Sequence, residues 1–369
     1  SSIKIATFAP AYFYTEISLM NSYFKTIILS ISLFCSVILL GQVPTGYYNT
    51  AVGKADAELK TALYNIIKNH DVLEYYSSST SFRKTDWHPD GYFWDMYSNY
   101  KRTSWTGMNR EHNMPKSWWS DVPETTVAYS DLHNLYPSDA EANTKKSNYA
   151  LGVVTGTPTY SNGVVKVGTN GYPGYSGTVF EPANEYKGDF ARDYMYVVTC
   201  YENYAANWRS TGTLSMLYSG GTYPVFRPYA VNLLLEWSRN DPVSEKEINR
   251  NNAVYLLQGN RNPFIDFPVL AELIWGKFKG KAWAGDNATP ETEADFYASY
   301  NDTEKKLFVK INNPETATYY IYSISGVVVQ TDNTIGTDSK IDVSGLKKGM
   351  YIIKIYSGIS RKTDKFIVG

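Results

Sequence analysis

Two short stretches hold the side chains best suited to chemistry. Asn109-Arg110-Glu111-His112-Asn113-Met114-Pro115-Lys116-Ser117-Trp118 sets a carboxylate beside an imidazole, and Asp131-Leu132-His133-Asn134-Leu135-Tyr136-Pro137-Ser138-Asp139 adds a carboxamide. Carboxylate and carboxamide oxygens suit a hard divalent cation such as Mg²⁺. A free imidazole suits proton abstraction from water near neutral pH. Around one metal ion, these groups are what phosphodiester hydrolysis needs. Glu111, His112 and Asn134 are therefore the first candidates.

Positioning them places demands on the chain. Glu111 and His112 are adjacent, so on an extended strand they point to opposite faces. Cooperation requires Glu111 to sit at a strand end or at a bulge that re-aims it. Ser138-Asp139 offers a cap for a helix through Ala140 to Tyr149. The expected local order is strand, loop, strand, helix, with one metal pinched between them. Elsewhere, Leu59, Leu63, Ile66 and Ile67 predict an amphipathic helix over Asp56 to Ile67. Ser244-Glu245-Lys246-Glu247 is a capping box whose helix ends near Gln258-Gly259. A further helix is expected from Phe267 to Phe278, with Pro268 in its first turn, and Thr155 to Gly177 reads as loop and hairpin. Cys200 follows an apolar run and reads as a buried core thiol. His70 and His88 are given no role.

The two ends differ from the middle. Met20 to Lys25 is weakly basic and Thr26 to Leu40 is apolar, of signal-peptide length and too short to span a bilayer comfortably. Residues 1–45 are thus read as upstream residues plus a signal peptide. Its removal leaves Cys200 as the only cysteine, with no internal disulfide. A mixed domain is expected over 46–284 and a polar linker over 285–303. From 304 to 369, short alternating runs such as Leu307 to Ile311, Thr318 to Tyr322 and Tyr351 to Ile355 predict a small all-β sandwich.

Net charge is −1, so the molecule as a whole is no electrostatic trap for nucleic acid. A nuclease needs only a local cluster, and Arg102, Arg110, Lys116, Lys145 and Lys146 lie near the two motifs; Arg192, Arg209, Arg250 and Arg261 could join them in space. Zinc hydrolysis lacks a His-Glu-x-x-His pair. The 33 tyrosines keep a different class open, an exported adhesin or glycan binder, although it leaves both motifs without purpose.

The two motifs, followed in order by Phe180-Glu181-Pro182, Lys187-Gly188-Asp189-Phe190-Ala191-Arg192 and Gln258-Gly259-Asn260-Arg261-Asn262-Pro263-Phe264-Ile265-Asp266, resemble the endonuclease I family. That family is a branch of the ββα-metal (His-Me finger) nonspecific nucleases, and the likeness spans roughly 47–275. It implies an α+β His-Me finger domain and a secreted endonuclease that cuts DNA, with RNA as a second substrate, to 5′-phosphate products. It makes His112 the general base, Glu111 and Asn134 the metal ligands, and Mg²⁺ the metal, with Mn²⁺ or Ca²⁺ as substitutes. Some members carry a phosphate-gripping arginine between the motifs; this chain has none there, which leaves Arg110, Lys116, His133, Arg192 and Arg261 as candidates. The segment Ile341 to Tyr351, with Lys365-Phe366-Ile367-Val368, resembles the type A sorting domain of the type IX secretion system. That implies an immunoglobulin-like sandwich and a Bacteroidetes-like Gram-negative source. It further implies export through that machinery to the medium or cell surface; separately, the mature protein is expected to be a monomer with no stable membrane span.

Overall fold

Leu59, Leu63 and Ile67 are fully buried along one side of α1 (Asp56–Ile67), as their spacing requires. The computed structural model describes residues 43–208, 216–285, 296–311, 317–324, 328–336, 338–357 and 360–369. The expected signal segment, Arg209 and much of the expected linker lie outside them. No helix among the described residues is long and apolar enough to cross a membrane.

After α2 (Ser78–Thr85) comes the hairpin that carries the first motif. β1 (Met108–His112) pairs antiparallel with β2 (Leu135–Asp139), His112 opposite Leu135 and Met108 opposite Asp139, without a register shift. The loop between them makes three short 3₁₀ turns. Asp139 then caps α3 (Ala140–Lys146) by accepting from the Ala142 amide at 2.8 Å. The helix ends at Lys146, three residues before Tyr149, and Ser147 with φ of 49° turns the chain. Strand, loop, strand and helix thus follow in the expected order.

A small sheet comes next, with β3 (Ala150–Leu151), β4 (Tyr160–Ser161), β5 (Lys166–Thr169) and β6 (Thr178–Glu181) in the order β3-β6-β5-β4. Its β4–β5 hairpin falls within the glycine-rich stretch. α4 (Lys187–Cys200) has no face left to solvent: Gly188 to Cys200 are all buried, the charged Asp189, Arg192 and Asp193 among them. It packs against α5 (Pro228–Asn240). α6 (Glu245–Gln258) opens with the Ser244–Glu247 capping box and ends on Gly259 in the left-handed region at φ 80°. α7 (Pro263–Asp266) follows. The expected helix over Phe267 to Phe278 shrinks to α8 (Val269–Ile274), because the Glu272 side chain folds back to accept from the Lys277 amide at 3.1 Å.

The C-terminal strands form two antiparallel sheets. β7 (Phe296–Asn301), β8 (Lys306–Ile311), β9 (Ala317–Ser323), β10 (Val328–Ile335), β11 (Asp338–Asp342), β12 (Gly349–Ser357) and β13 (Ser360–Val368) are ordered β10-β9-β12-β13 and β11-β8-β7. Leu307, Val309, Ile311, Ile321, Ile341, Ile353 and Ile355 fill the space between them. β7 falls in the stretch expected to be linker; it pairs with β8, so the sheet takes in residues from 296 onward.

Candidate active site

His112 ends β1 in an aromatic enclosure. Its ring stacks on Tyr129 with centroids 5.2 Å apart, lies parallel to Tyr75 at 6.0 Å, and meets the edge of Trp119 at 5.8 Å. Nε2 lies 2.8 Å from the Tyr129 carbonyl oxygen. A carbonyl only accepts, so Nε2 carries the proton and Nδ1 keeps the lone pair. Nδ1 has no protein partner among the described residues, yet it is not among the buried, unpartnered atoms. Burial pushes the imidazole down to about 4, against the pull of the Tyr129 carbonyl, so the ring is neutral at physiological pH.

Glu111 faces the other way, as strand alternation demands, and no bulge re-aims it. Lys146, at the end of α3, reaches it instead. Its ammonium lies 2.6 Å from Glu111 Oε1 and 3.4 Å from the His112 carbonyl oxygen. Burial raises the Glu111 pKa, and Lys146 opposes that rise. Oε2 has no protein partner among the described residues and is likewise absent from the buried, unpartnered atoms. Asn143 lies one helical turn before Lys146, on the same side of α3. It is half-buried, and its carboxamide makes no hydrogen bond among the described residues.

Asn134 is engaged differently. Its Oδ1 accepts from the Met114 amide at 2.7 Å and its Nδ2 donates to the Met114 carbonyl at 3.1 Å. With Asn113 N donating to Asn134 O at 2.9 Å, the side chain extends the β1–β2 pairing past its end. Both polar atoms of the amide are occupied in holding the loop.

Of the five substrate-binding candidates, only two lie at the site's surface. Lys116 is 41% exposed, pairs with Glu124 at 3.0 Å and sits over the Tyr129 ring. Arg110 shares the His112 face of β1 and donates to Ser78 Oγ and the Tyr76 carbonyl, both at 2.7 Å. The other three are interior. Arg192 is fully buried and forks onto both Glu247 oxygens at 2.6 and 2.8 Å, so it locks α4 to the start of α6. Arg261 grips Asp266 with two bonds. His133 is buried, and desolvation pushes it down to about 4 while its Nε2 contacts the Asn260 carbonyl. The expected basic cluster disperses further, since Lys146 is buried on Glu111, Arg102 binds Asp139, and Arg250 binds Asp86 and the Leu135 carbonyl.

Beneath the loop, Asp131 is a hub. Tyr196 and Tyr201 hydroxyls donate to Oδ2 at 2.7 and 2.6 Å, while Gln258 and the His133 amide donate to Oδ1 at 2.6 and 2.8 Å. Burial opposes ionisation here, but the neighbouring imidazoles and donors outweigh it and hold the carboxyl at about 2. His70, Asp131 and Cys200 offer ligand atoms within 4.8 Å of one another. Asp131 already accepts four bonds and the Cys200 thiol donates to the Ile67 carbonyl, so the trio belongs to a closed hydrogen-bond network. The network, anchored on α4 and α6, sets the height of the loop that ends at Asn134.

Residues 55–269, more than half of the chain, match the family model described as Endonuclease I. The chain belongs to the endonuclease I family. It is a nuclease, a phosphodiester hydrolase, rather than a non-catalytic adhesin. Nucleases of this family are metal-dependent. Residues 301–369 match the secretion system C-terminal sorting domain, and the protein is secreted by the type IX route. The chain is 31% identical over 243 residues to an extracellular ribonuclease of Bacillus subtilis (strain 168), covering 62% of this chain and 78% of the relative. It is 29% identical over 137 residues to an extracellular deoxyribonuclease of Aeromonas hydrophila, covering 37% and 49%. Among solved structures, an immunoglobulin-like β-sandwich protein from Bacteroides vulgatus is similar to 21% of the chain at 17% identity, covering 96% of that protein with a TM-score of 0.18.

Proposed function

We propose that the protein is a nonspecific endonuclease that hydrolyses DNA and RNA with His112 as general base, giving 5′-phosphate ends. The observation that carries this reading is the fixed tautomer: Tyr129 O holds Nε2–H, and Nδ1 is left as an acceptor with no protein partner. Nδ1 takes the proton of the attacking water, while Tyr75, Tyr129 and Trp119 keep the ring oriented. Lys116, exposed at the rim, meets the phosphate backbone, and contacts of that kind carry no sequence information.

Glu111 Oε2 and the unpartnered Asn143 carboxamide are hard oxygen donors on facing elements, which suits Mg²⁺, Mn²⁺ or Ca²⁺. We assign the second ligand to Asn143 in preference to Asn134, whose amide is taken by Met114. When bound, the metal offsets the charge that develops on the phosphate oxygens. Lys146 orients the Glu111 carboxylate through Oε1 and leaves Oε2 free.

The test is His112→Ala against wild type, on plasmid DNA and on RNA, with a chelator and with Mg²⁺ restored. Loss of about 10²- to 10⁴-fold in kcat is expected, with wild-type activity abolished by the chelator and 5′-phosphate ends on the products. Full activity in His112→Ala would refute the assignment of the base.

A further inference from the structure

Tyr76 is the most exposed large apolar side chain among the described residues, at 75%, and it lies beside the site rather than at a remote surface. Its ring meets Tyr75 edge-on at 5.3 Å, Tyr75 stacks on Tyr129 at 4.2 Å, and both Tyr75 and Tyr129 lie against the His112 ring. Cations line the same series. The Arg110 guanidinium sits over the rings of Tyr75, Tyr76 and Trp105 at 5.4, 6.0 and 5.2 Å, and Lys116 Nζ, paired at 3.0 Å with the exposed Glu124 carboxylate, lies 5.0 Å over Tyr129. Arg110 has no carboxylate partner among the described residues; it donates to Ser78 Oγ and to the Tyr76 carbonyl. Those bonds tie the backbone of Tyr76 to the strand that carries His112.

An aromatic face left in water costs free energy unless something covers it, and the flanking positive charge selects a polyanion. Bases inside a duplex are stacked on one another and offer no free face, whereas unpaired bases stack readily on tyrosine beside a basic groove. We propose that Tyr76 is a stacking platform for the unpaired base next to the scissile phosphate, with Arg110 and Lys116 holding the flanking phosphates. The site thereby favours single-stranded over double-stranded nucleic acid. This rests on the nuclease reading of the His112 site and assigns its preferred substrate form.

The test measures binding and cleavage separately. Fluorescently labelled oligothymidylate and a duplex of equal length are titrated with the full chain in the presence of a chelator, for wild type, Tyr76→Ala and Tyr76→Phe. Tyr76→Ala is expected to weaken oligothymidylate binding about ten-fold and to leave duplex binding unchanged, while Tyr76→Phe keeps wild-type affinity. Circular dichroism confirms that each variant is folded. Unchanged oligothymidylate affinity in Tyr76→Ala, equal weakening on both nucleic acids, or no single-strand binding by wild type overturns the proposal. If wild type with Mg²⁺ cuts neither nucleic acid while the binding difference holds, the nuclease assignment fails and the stacking platform stands.

Discussion

At residue scale the site is governed by which polar atoms already have partners. His112 has one nitrogen tied and one free, Glu111 one oxygen tied and one free, and Asn134 neither atom free. Asp193 is the extreme case. It is buried on α4 beside the Asn113 carboxamide, and neither of its oxygens has a partner of ordinary hydrogen-bond geometry. Burial drives its pKa well above the ordinary carboxylate range, and the nearby Arg250 and Lys146 only reduce that effect. The folded chain therefore holds this proton more tightly than the unfolded chain does. The associated stability is complete below about pH 4 and is lost as pH rises through the raised value. Asp193→Asn cannot ionise, so its Tm relative to wild type should climb between pH 5 and pH 8. A relative Tm that stays flat over that range would mean that Asp193 is already ionised in the folded chain.

At the scale of elements, the two asparagines make opposite predictions. Asn134→Ala breaks two bonds that fix the end of the β1–β2 hairpin, so unfolding should become easier by about 1–3 kcal/mol with metal affinity retained. Asn143→Ala removes an unpartnered side chain from α3, so Tm should hold while Mn²⁺ affinity measured by calorimetry falls. The reverse pattern would return the ligand role to Asn134. Much of this architecture was legible from local signals. Asp139 reads as a cap and caps α3, and the Ser244–Glu247 box opens α6. α4 was not legible, because its charged Asp189, Arg192 and Asp193 read as solvent-facing residues and are buried in the fold. Nor was the pairing of Lys146 with Glu111, which depends on how α3 crosses the strands.

For the whole molecule, the sandwich has its own core, and the nuclease domain closes around separate apolar clusters. A chain ending after residue 285 is accordingly expected to retain kcat/KM within about two-fold, as independent domains allow. It should also fail to be exported when expressed in its native secretion background. A large loss of activity with unchanged Tm would instead show that the sandwich contributes to the site. A net charge of −1 supplies no attraction between the molecule as a whole and a polyanion.

The sequence by itself determined the family, the export route, the order strand–loop–strand–helix and the pairing of a carboxylate with an imidazole, because each is written in contiguous motifs. Tertiary structure alone decided which polar groups are free to act. Arg192, Arg261 and His133 look like surface chemistry in one dimension, but partners in the interior claim them. Lys146, Tyr75, Tyr76 and Tyr129 look ordinary until folding brings them to the end of β1. Availability depends on what else is within hydrogen-bonding reach, and only the folded chain sets that.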